Sequence, residues 1–589
     1  MRSWPLSAAL LGVAVAMEEP LPKTLPTEVV RSLPTSFLDF APSARAGNKH
    51  SNVQSLEDMF SALQVLQGDY YDADYGTWPT AIDWTAAFAQ TLLSGALTTL
   101  TESLASFEPS ISFAQKENLL MSYFHQLVGS YYGQDTLSIR GEAYDDILWV
   151  ALGWLEAVEF VSTHSALHYP PNTTNSTDHQ CLRQVLQDLP WHGHSWVPSF
   201  AHRSRIFWGL ASRGWTDDLC HGGMVWNPRL SPYKNAITNE LWISASIAMY
   251  QYFPGDNFTA PWLQQSAFPD RDPAHLAGAV EGYKWLVGVN MTNNQGLFVD
   301  GYHIDSRKAN NRECDLRDEM VYTYNQGVIL TGLRGLWSVT GAPSYLTDGH
   351  RLIQAVINAT GWDFTRSQPV DQFRSGSLPP WRGIGRAGIL EERCDASGTC
   401  SQDSQTFKAI FFHHLTAFCK PIETSNAHGI DQNHTAALHK GACAEYVAWT
   451  RHNAVAALGT RIDGKFGMWW GPGLFGNVMA TKSSDGIDHD AANTTDYRDE
   501  GTPVDRIWGR EPWSPGSEGV LRRQGAATIQ ENTNVREKVL SRIRTLAGRP
   551  PKEGNDPNAR GRGRTVETQM GGLAVLRAYW VLSRSSESK

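Results

Sequence analysis

Apolar residues recur at three- and four-residue intervals through most of the chain, whereas strict alternation is rare. Nine stretches carry this spacing and predict helices: 82–106, 114–130, 145–163, 235–252, 273–288, 322–340, 404–418, 440–458 and 565–582. Within 145–163, Leu148, Ala151, Leu155 and Val158 fall on one face of a helix, as a buried flank requires. The predicted helices follow one another at intervals of about 20 to 45 residues without a repeat of fixed period, which argues against a solenoid of identical units. Paired helices closed into a ring fit this pattern better.

Gly-, Asn- and Pro-rich connections separate the helices, and the longest predicted insertions are 164–200 and 482–562. Long connections of this kind often carry function. The second is polar enough that part of it is expected to be mobile or to wrap over the surface. No linker leads to a second core, so 17–589 reads as a single domain.

The front of the chain changes the picture of where the protein works. Met1 and Arg2 precede an apolar run from Trp4 to a closing Ala14-Val15-Ala16, the plan of a signal peptide over residues 1–16. No run reaches about 18 uninterrupted apolar residues, so no transmembrane segment is expected. Sequons at Asn172, Asn175, Asn257, Asn290, Asn358, Asn433 and Asn493 predict N-glycans and a secreted, extracellular or cell-wall-associated protein. Seven cysteines are few for 589 residues, so disulfides are expected to be accessories to a large core. Cys394 and Cys400 form the expected local pair, and Cys314 is the expected free thiol of the odd count.

The formal net charge of −10 argues against a nucleic-acid partner, which would need a concentrated basic face. Arg560, Arg562 and Arg564 are the exception, and without interleaved aromatic residues they read as a solvated loop. Composition adds 22 Trp and 19 Tyr. Most belong in a core, although aromatic faces beside hydroxyl-bearing neighbours also suit sugar rings.

Several chemistries can be set aside. Gly383 through Gly388 has a dinucleotide-type spacing but follows Pro379-Pro380-Trp381 and no strand. Gly459 through Lys465 has phosphate-loop spacing, but Phe466 stands where a magnesium-binding hydroxyl is needed. No nucleophile elbow or H-E-x-x-H motif occurs, and His192 and His194 lack an evident third ligand.

What remains is Tyr144-Asp145-Asp146 at the first turn of a predicted helix. Retaining glycosidases place two carboxyls about 5–5.5 Å apart, one to attack the anomeric carbon and one to protonate the departing oxygen. Adjacent residues at a helix start can reach that separation, whereas the wider gap of inverting enzymes is harder to reach. Taken alone, the pair also suits simple capping of the helix N-terminus.

Its surroundings carry more. Tyr144-Asp145-Asp146-Ile147-Leu148-Trp149-Val150-Ala151-Leu152 resembles the Y-D-D-x-x-W-W-A-L signature of glycoside hydrolase family 76. Cys220-His221-Gly222-Gly223-Met224-Val225-Trp226 resembles its C-G-G-G loop, and Tyr233 through Leu241, reading Y-K-N-A-I-T-N-E-L, is similar to its Y-K-N-A-I-S-N-E-L. Asp300-Gly301, Tyr322 through Gly327, Phe407 through Phe411 and Glu567-Thr568-Gln569 resemble further markers in the same order. His221, Val150 and Tyr322 depart from the family pattern without touching the carboxylates.

The resemblance spans about Trp78 to Leu582 and implies an all-α fold, an (α/α)6 toroid of helical hairpins with long surface loops. It implies hydrolysis of internal α-1,6 linkages of mannan or of a mannoprotein glycan with retention, with Asp145 as nucleophile, Asp146 as general acid/base, and no cofactor or metal. Candidate substrate-binding residues are Tyr144, Trp226, Asn227, Tyr233, Lys234, Asn235, Asn239, Glu240, Asp300, Tyr324, Asn325 and Gln326. Core packing competes for Trp226, helix capping for Asn235 and Asn239, and a structural ion pair for Lys234. A cell-wall transglycosidase of the same family shares the glycosyl-enzyme intermediate. The polar ending Arg584 through Lys589 favours a freely secreted hydrolase. A mannan-binding protein without catalysis is the third reading.

Overall fold

The computed structural model describes residues 52–107, 110–170, 191–257, 268–371, 377–422, 430–476, 478 and 556–587. The expected leader, Asn172, Asn175, Cys181, Asn493 and most of the 482–562 insertion lie outside these residues. Thirteen helices of at least twelve residues run through the described chain. Six form an inner ring: α2 (Asp83–Glu102), α4 (Tyr144–His168), α6 (Ala236–Tyr252), α8 (Val328–Thr340), α10 (Gln402–Phe418) and α13 (Val566–Glu587). Each packs on the next, and α13 packs back on α2 to close the circle. Outside them, α3 (Phe113–Gly133) lies on α2, α5 (Val197–Ala211) on α4, α7 (Pro273–Gly288) on α6 and α9 (Pro343–Ala359) on α8. The outer partners of α13 are α11 (Ile430–Glu445), α12 (Val447–Leu458) and, from the far end of the sequence, α1 (Asn52–Val65). This is the expected (α/α)6 toroid.

Burial explains why the inner helices other than α8 show weak amphipathicity. Residues of α6 from Ala236 to Met249 are buried on every side, because an inner helix meets its ring neighbours, its outer partner and the middle of the barrel. The outer helices have a wet face, and three of them, α1, α5 and α9, are absent from the predicted set although each buries apolar residues along one side, as α9 does with Leu346, Leu352, Ile353, Val356 and Ile357. The 322–340 stretch, expected as one helix, is a 3₁₀ turn at Tyr324–Gln326 followed by α8. A side chain at Gly327 would come within 2.7 Å of the Phe411 backbone, so the chain must pass there with glycine. The 440–458 stretch divides at Tyr446 between α11 and α12. The expected 164–200 insertion begins inside α4 and ends inside α5.

Strands are few and short. β1 (Tyr233–Asn235), β2 (Gly301–His303) and β3 (Leu316–Asp318) form an antiparallel sheet with Tyr233 opposite His303 and Gly301 opposite Asp318. Disulfides join Cys220 to Cys314, Cys394 to Cys400 and Cys419 to Cys443. Cys314 is therefore not a free thiol; its partner lies 94 residues upstream, where spacing along the chain gives no hint. The late arginines are not a solvated loop either. Arg560 donates to the Ala396 carbonyl, Arg562 to Gln402 Oε1, and Arg564 to Asp556 and the Thr460 carbonyl.

The inner helices share polarity. Their first turns meet at one end, where Trp84 of α2 donates to Asp403 of α10, and Thr85 of α2 and Gln402 of α10 both donate to Glu567 of α13. At the other end Trp580 of α13 donates to Ser103 after α2, and Lys420 after α10 donates to Glu159 of α4. Between the ends, Arg577 is fully buried, donates to Thr99 at 2.8 Å and shares a hydrogen bond with His413 at 3.0 Å. A Cβ on Gly95 would lie 2.6 Å from an Arg577 guanidinium nitrogen. Gly95→Ala gains helix propensity of about 1 kcal/mol but forces that buried cation aside, which costs about 1–3 kcal/mol. Thermal unfolding should show a net loss of stability of about 1 kcal/mol.

Candidate active site

At the end where the inner helices begin, aromatic rings pave the middle of the ring. Trp84 stacks on Trp149 with centroids 5.9 Å apart, and Tyr324 stacks on Phe407 at 3.9 Å. Trp84 also lies 6.5 Å from Phe407, so one layer reaches from α4 across α2 and α10 to the turn before α8. Above Trp149, one helical turn earlier, stand Asp145 and Asp146.

Neither aspartate caps α4. The N-cap is Ala143, and the pair sits inside the first turn. Asp145 is 2% exposed, and each of its oxygens accepts a hydrogen bond: Oδ1 from the Asp146 backbone N–H at 3.1 Å, Oδ2 from the Trp226 indole N–H at 3.1 Å. Asp146, Tyr144 and Trp226 are half-buried and reach solvent. Trp226 is fixed through its backbone, donating to the Tyr233 carbonyl and accepting from the Tyr144 N–H, both at 2.8 Å. Its ring meets Tyr233 edge-on. Tyr233 donates to Asp300 Oδ2 at 2.5 Å, Asn325 donates to Asp300 Oδ1 at 3.3 Å, and His303 stacks on the Tyr233 ring. A continuous polar path thus joins Asp145 to Trp226, Tyr233, Asp300 and Asn325.

Four expected substrate-binding side chains serve the scaffold instead. The Lys234 ammonium is enclosed by the carbonyls of Thr216, Leu219, Gly222 and Gly223. Burial lowers its pKa to about 8, which still leaves it charged at neutral pH. Asn235 caps α6 by accepting from the Thr238 N–H. Asn239 accepts from the Met224 N–H and donates to the Met224 and Asn235 carbonyls. Gln326 accepts from the Phe298 N–H and donates to the Phe298 and Tyr322 carbonyls. Each is at most 2% exposed, and the side-chain polar atoms of Lys234, Asn239 and Gln326 are committed to backbone, as is Oδ1 of Asn235. Asn227 is also buried and accepts from the Arg229 N–H.

Carboxyls with perturbed acidity surround the pair. Burial, reinforced by Asp83, pushes Glu142 up to about 9, three residues before Asp145. Burial, followed by the charge of Asp300, holds Glu240 well above the carboxylate range. Glu142 is thus a neutral acid at pH 7, and burial favours the neutral form of Glu240 beside Asp300. The sequence singled out neither Glu142 nor Asp83, since a lone acid before a helix carries no pattern. Among the described residues, two clusters have metal-ligand geometry, His350-His439-Cys443 and Cys394-Asp395-Cys400. Their cysteines are spent in disulfides. Among the described residues, no helix is long and apolar enough to cross a membrane.

Residues 192–465 match the pattern of glycosyl hydrolase family 76. That interval contains the loop ending at Trp226, the segment from Tyr233 to Leu241, Asp300 and Tyr322 through Phe411, and it begins after Asp145 and Asp146. The chain is 26% identical over 241 residues to mannan endo-1,6-alpha-mannosidase DCW1 of Saccharomyces cerevisiae, covering 39% of this chain and 42% of that protein. It is 23% identical over 218 residues to mannan endo-1,6-alpha-mannosidase DFG5 of the same yeast, covering 36% and 37%. The chain thus spans about two fifths of the length of these relatives. Among solved structures it is similar to Dfg5 of Chaetomium thermophilum in complex with glucosamine, with 13% identity, a TM-score of 0.45 and coverage of 75% and 90%. It is also similar to an inactive variant of an alpha-1,6-mannanase of a Salegentibacter species in complex with an alpha-1,6-linked mannotetraose, with 13% identity, a TM-score of 0.46 and coverage of 90% and 99%.

Proposed function

From the match of residues 192–465 to glycosyl hydrolase family 76 we propose that the protein is a retaining glycoside hydrolase cleaving internal α-1,6 linkages of mannan. The observation that carries the proposal is the unequal environment of two adjacent carboxyls. Asp145 is buried and held at both oxygens, as suits a nucleophile that must meet the anomeric carbon in one orientation. Asp146 is half-exposed, as suits a group that must exchange its proton with water between the two half-reactions.

In the first step Asp145 attacks the anomeric carbon while Asp146 protonates the leaving oxygen; in the second, Asp146 takes a proton from water as that water displaces Asp145. The indole N–H of Trp226 keeps Oδ2 of Asp145 in place while its charge is consumed and restored. Trp226, Tyr144 and the Tyr233–Asp300 pair are the groups of the set nearest this chemistry in the hydrogen-bond path. The proposal requires no cofactor and no metal.

Passage through a secretory pathway belongs to the same reading. Three disulfides suit an oxidising compartment, and the described sequon residues Asn257, Asn290, Asn358 and Asn433 are all exposed, as N-glycan attachment requires.

Incubating the protein with unbranched α-1,6-mannan and following products by mass spectrometry and anomeric NMR tests the activity. Short oligosaccharides released first as the α-anomer are expected. β-Anomers would overturn retention, elongated chains would replace hydrolysis by transfer, and an unchanged substrate would sink the assignment.

A further inference from the structure

Lys234 has no place in the chemistry above, yet its surroundings are unusual. An ammonium has three hydrogens and no acceptor. Here it lies within hydrogen-bond reach of four backbone carbonyls, those of Thr216 at 2.8 Å, Leu219 at 2.6 Å, Gly223 at 3.0 Å and Gly222, and it is 0% exposed. Four carbonyl dipoles aimed at one point repel one another unless a cation sits there. The segment that supplies them is contorted to do so: Cys220 and His221 both have φ of 56°, in the left-handed region, followed by Gly222 at 129° and Gly223 at 84°. A Cβ at Gly223 would lie 2.4 Å from the Trp285 ring, so that position must be glycine. Trp285 itself donates to the Cys220 carbonyl at 2.9 Å and lies under the Lys234 ammonium at 5.7 Å.

The contorted segment leads straight to the reacting group. Met224 is gripped at both backbone atoms by Asn239, Val225 donates to the Gly214 carbonyl, and the next residue is Trp226, whose indole holds Asp145. Lys234 follows Tyr233, which accepts the Trp226 N–H, so the cation and the indole are fixed by adjacent residues of one strand. We infer that Lys234 is a positioning residue: by gathering the carbonyls of residues 216–223 around its ammonium, it sets the loop that delivers the Trp226 indole to Asp145. The inference rests on the reading of Asp145 as nucleophile for its effect on rate, but the geometry can be tested without any turnover.

The full chain labelled with 5-fluorotryptophan gives a ¹⁹F signal for Trp226, assigned as the one missing in Trp226→Phe. Lys234→Met, which keeps the length and removes the charge, should move or broaden that signal. On α-1,6-mannan it should lower kcat about ten- to a hundredfold with KM nearly unchanged, the effect of losing one hydrogen bond to a charged group. Combining Lys234→Met with Trp226→Phe should then lower kcat no further than Trp226→Phe alone, because both act through one contact. A merely structural lysine would leave the Trp226 signal in place, or would multiply its loss with that of Trp226→Phe; either result overturns the inference. If Lys234→Met does not fold, Trp285→Phe loosens the same segment by removing its bond to Cys220, and the same two readouts apply to it. A wild type inactive on mannan whose Trp226 signal still moves in Lys234→Met would sink the functional proposal and leave the positioning role standing.

Discussion

Replacing Asp145 and Asp146 together by Asn should lower the rate on α-1,6-mannan by about 10⁴-fold or more while leaving the fold intact. The amides keep the side-chain shape, but at position 145 one acceptor oxygen can serve only one of the Asp146 N–H and the Trp226 indole, so an unchanged melting temperature is the check that the loss reports chemistry and not collapse. General acid catalysis alone is worth about 10²–10⁴-fold, and loss of the nucleophile removes the covalent path altogether. The single variants should separate the roles. Asp146→Asn should retain much of its glycosylation rate on a mannoside with a good leaving group that needs no protonation, and azide should accelerate turnover by replacing base-assisted water. Asp145→Asn should gain from neither. The reverse pattern would exchange the two assignments, and full activity in the double variant would remove the pair from the mechanism.

The second large effect is on stability against pH. Buried carboxyls hold protons that the unfolded chain has lost: burial raises Glu392 from 4.5 to about 8, and burial with Asp83 raises Glu142 from 4.5 to about 9. The stability from these protons is complete below about pH 4.5 and disappears as pH rises through 8 and 9. The buried histidines oppose this trend at the acid end. Burial lowers His350 and His452 to about 4 and His414 and His439 to about 3, so they favour the fold near pH 6.5 and withdraw that support as pH falls. The melting temperature should therefore be highest near pH 5–6.5 and lower by about 5 °C or more at pH 9. Glu392→Gln keeps the acceptor for the Thr323 N–H and should flatten the alkaline decline. A melting temperature that rises between pH 6.5 and 9 would contradict this account.

The sequence made the inner helices legible because their apolar positions form long runs, and it made the aspartate pair legible because two charges open one of those runs. It did not reveal what the polar residues of the Tyr233–Leu241 segment do. Lys, Asn and Asn at a helix start suit a sugar as well as they suit backbone, and only the return of residues 216–224 onto that segment decides between them. Trp226 was open between stacking on a sugar and core packing for the same reason. Its partner Asp145 lies 81 residues away, and a hydrogen bond across that distance leaves no periodic mark. Two outer helices, α1 and α9, were missed although each buries a stripe of its own, Leu56, Met59, Phe60 and Leu63 in α1 and Leu346, Leu352, Ile353, Val356 and Ile357 in α9.

The ring is closed by elements from opposite ends of the described chain: α13 packs between α10 and α2 with α1 on its flank, and Gln569 of α13 donates to the Ala62 carbonyl of α1. During synthesis α1, α2 and α10 all emerge before α13, with their buried faces turned toward a gap that the final 22-residue helix must fill. Until then the nascent protein is an open arc in which α2 and α10 lack the partner that α13 supplies, and such exposed apolar surface is prone to association. Correct assembly therefore depends on the time the half-built ring spends shielded from its neighbours.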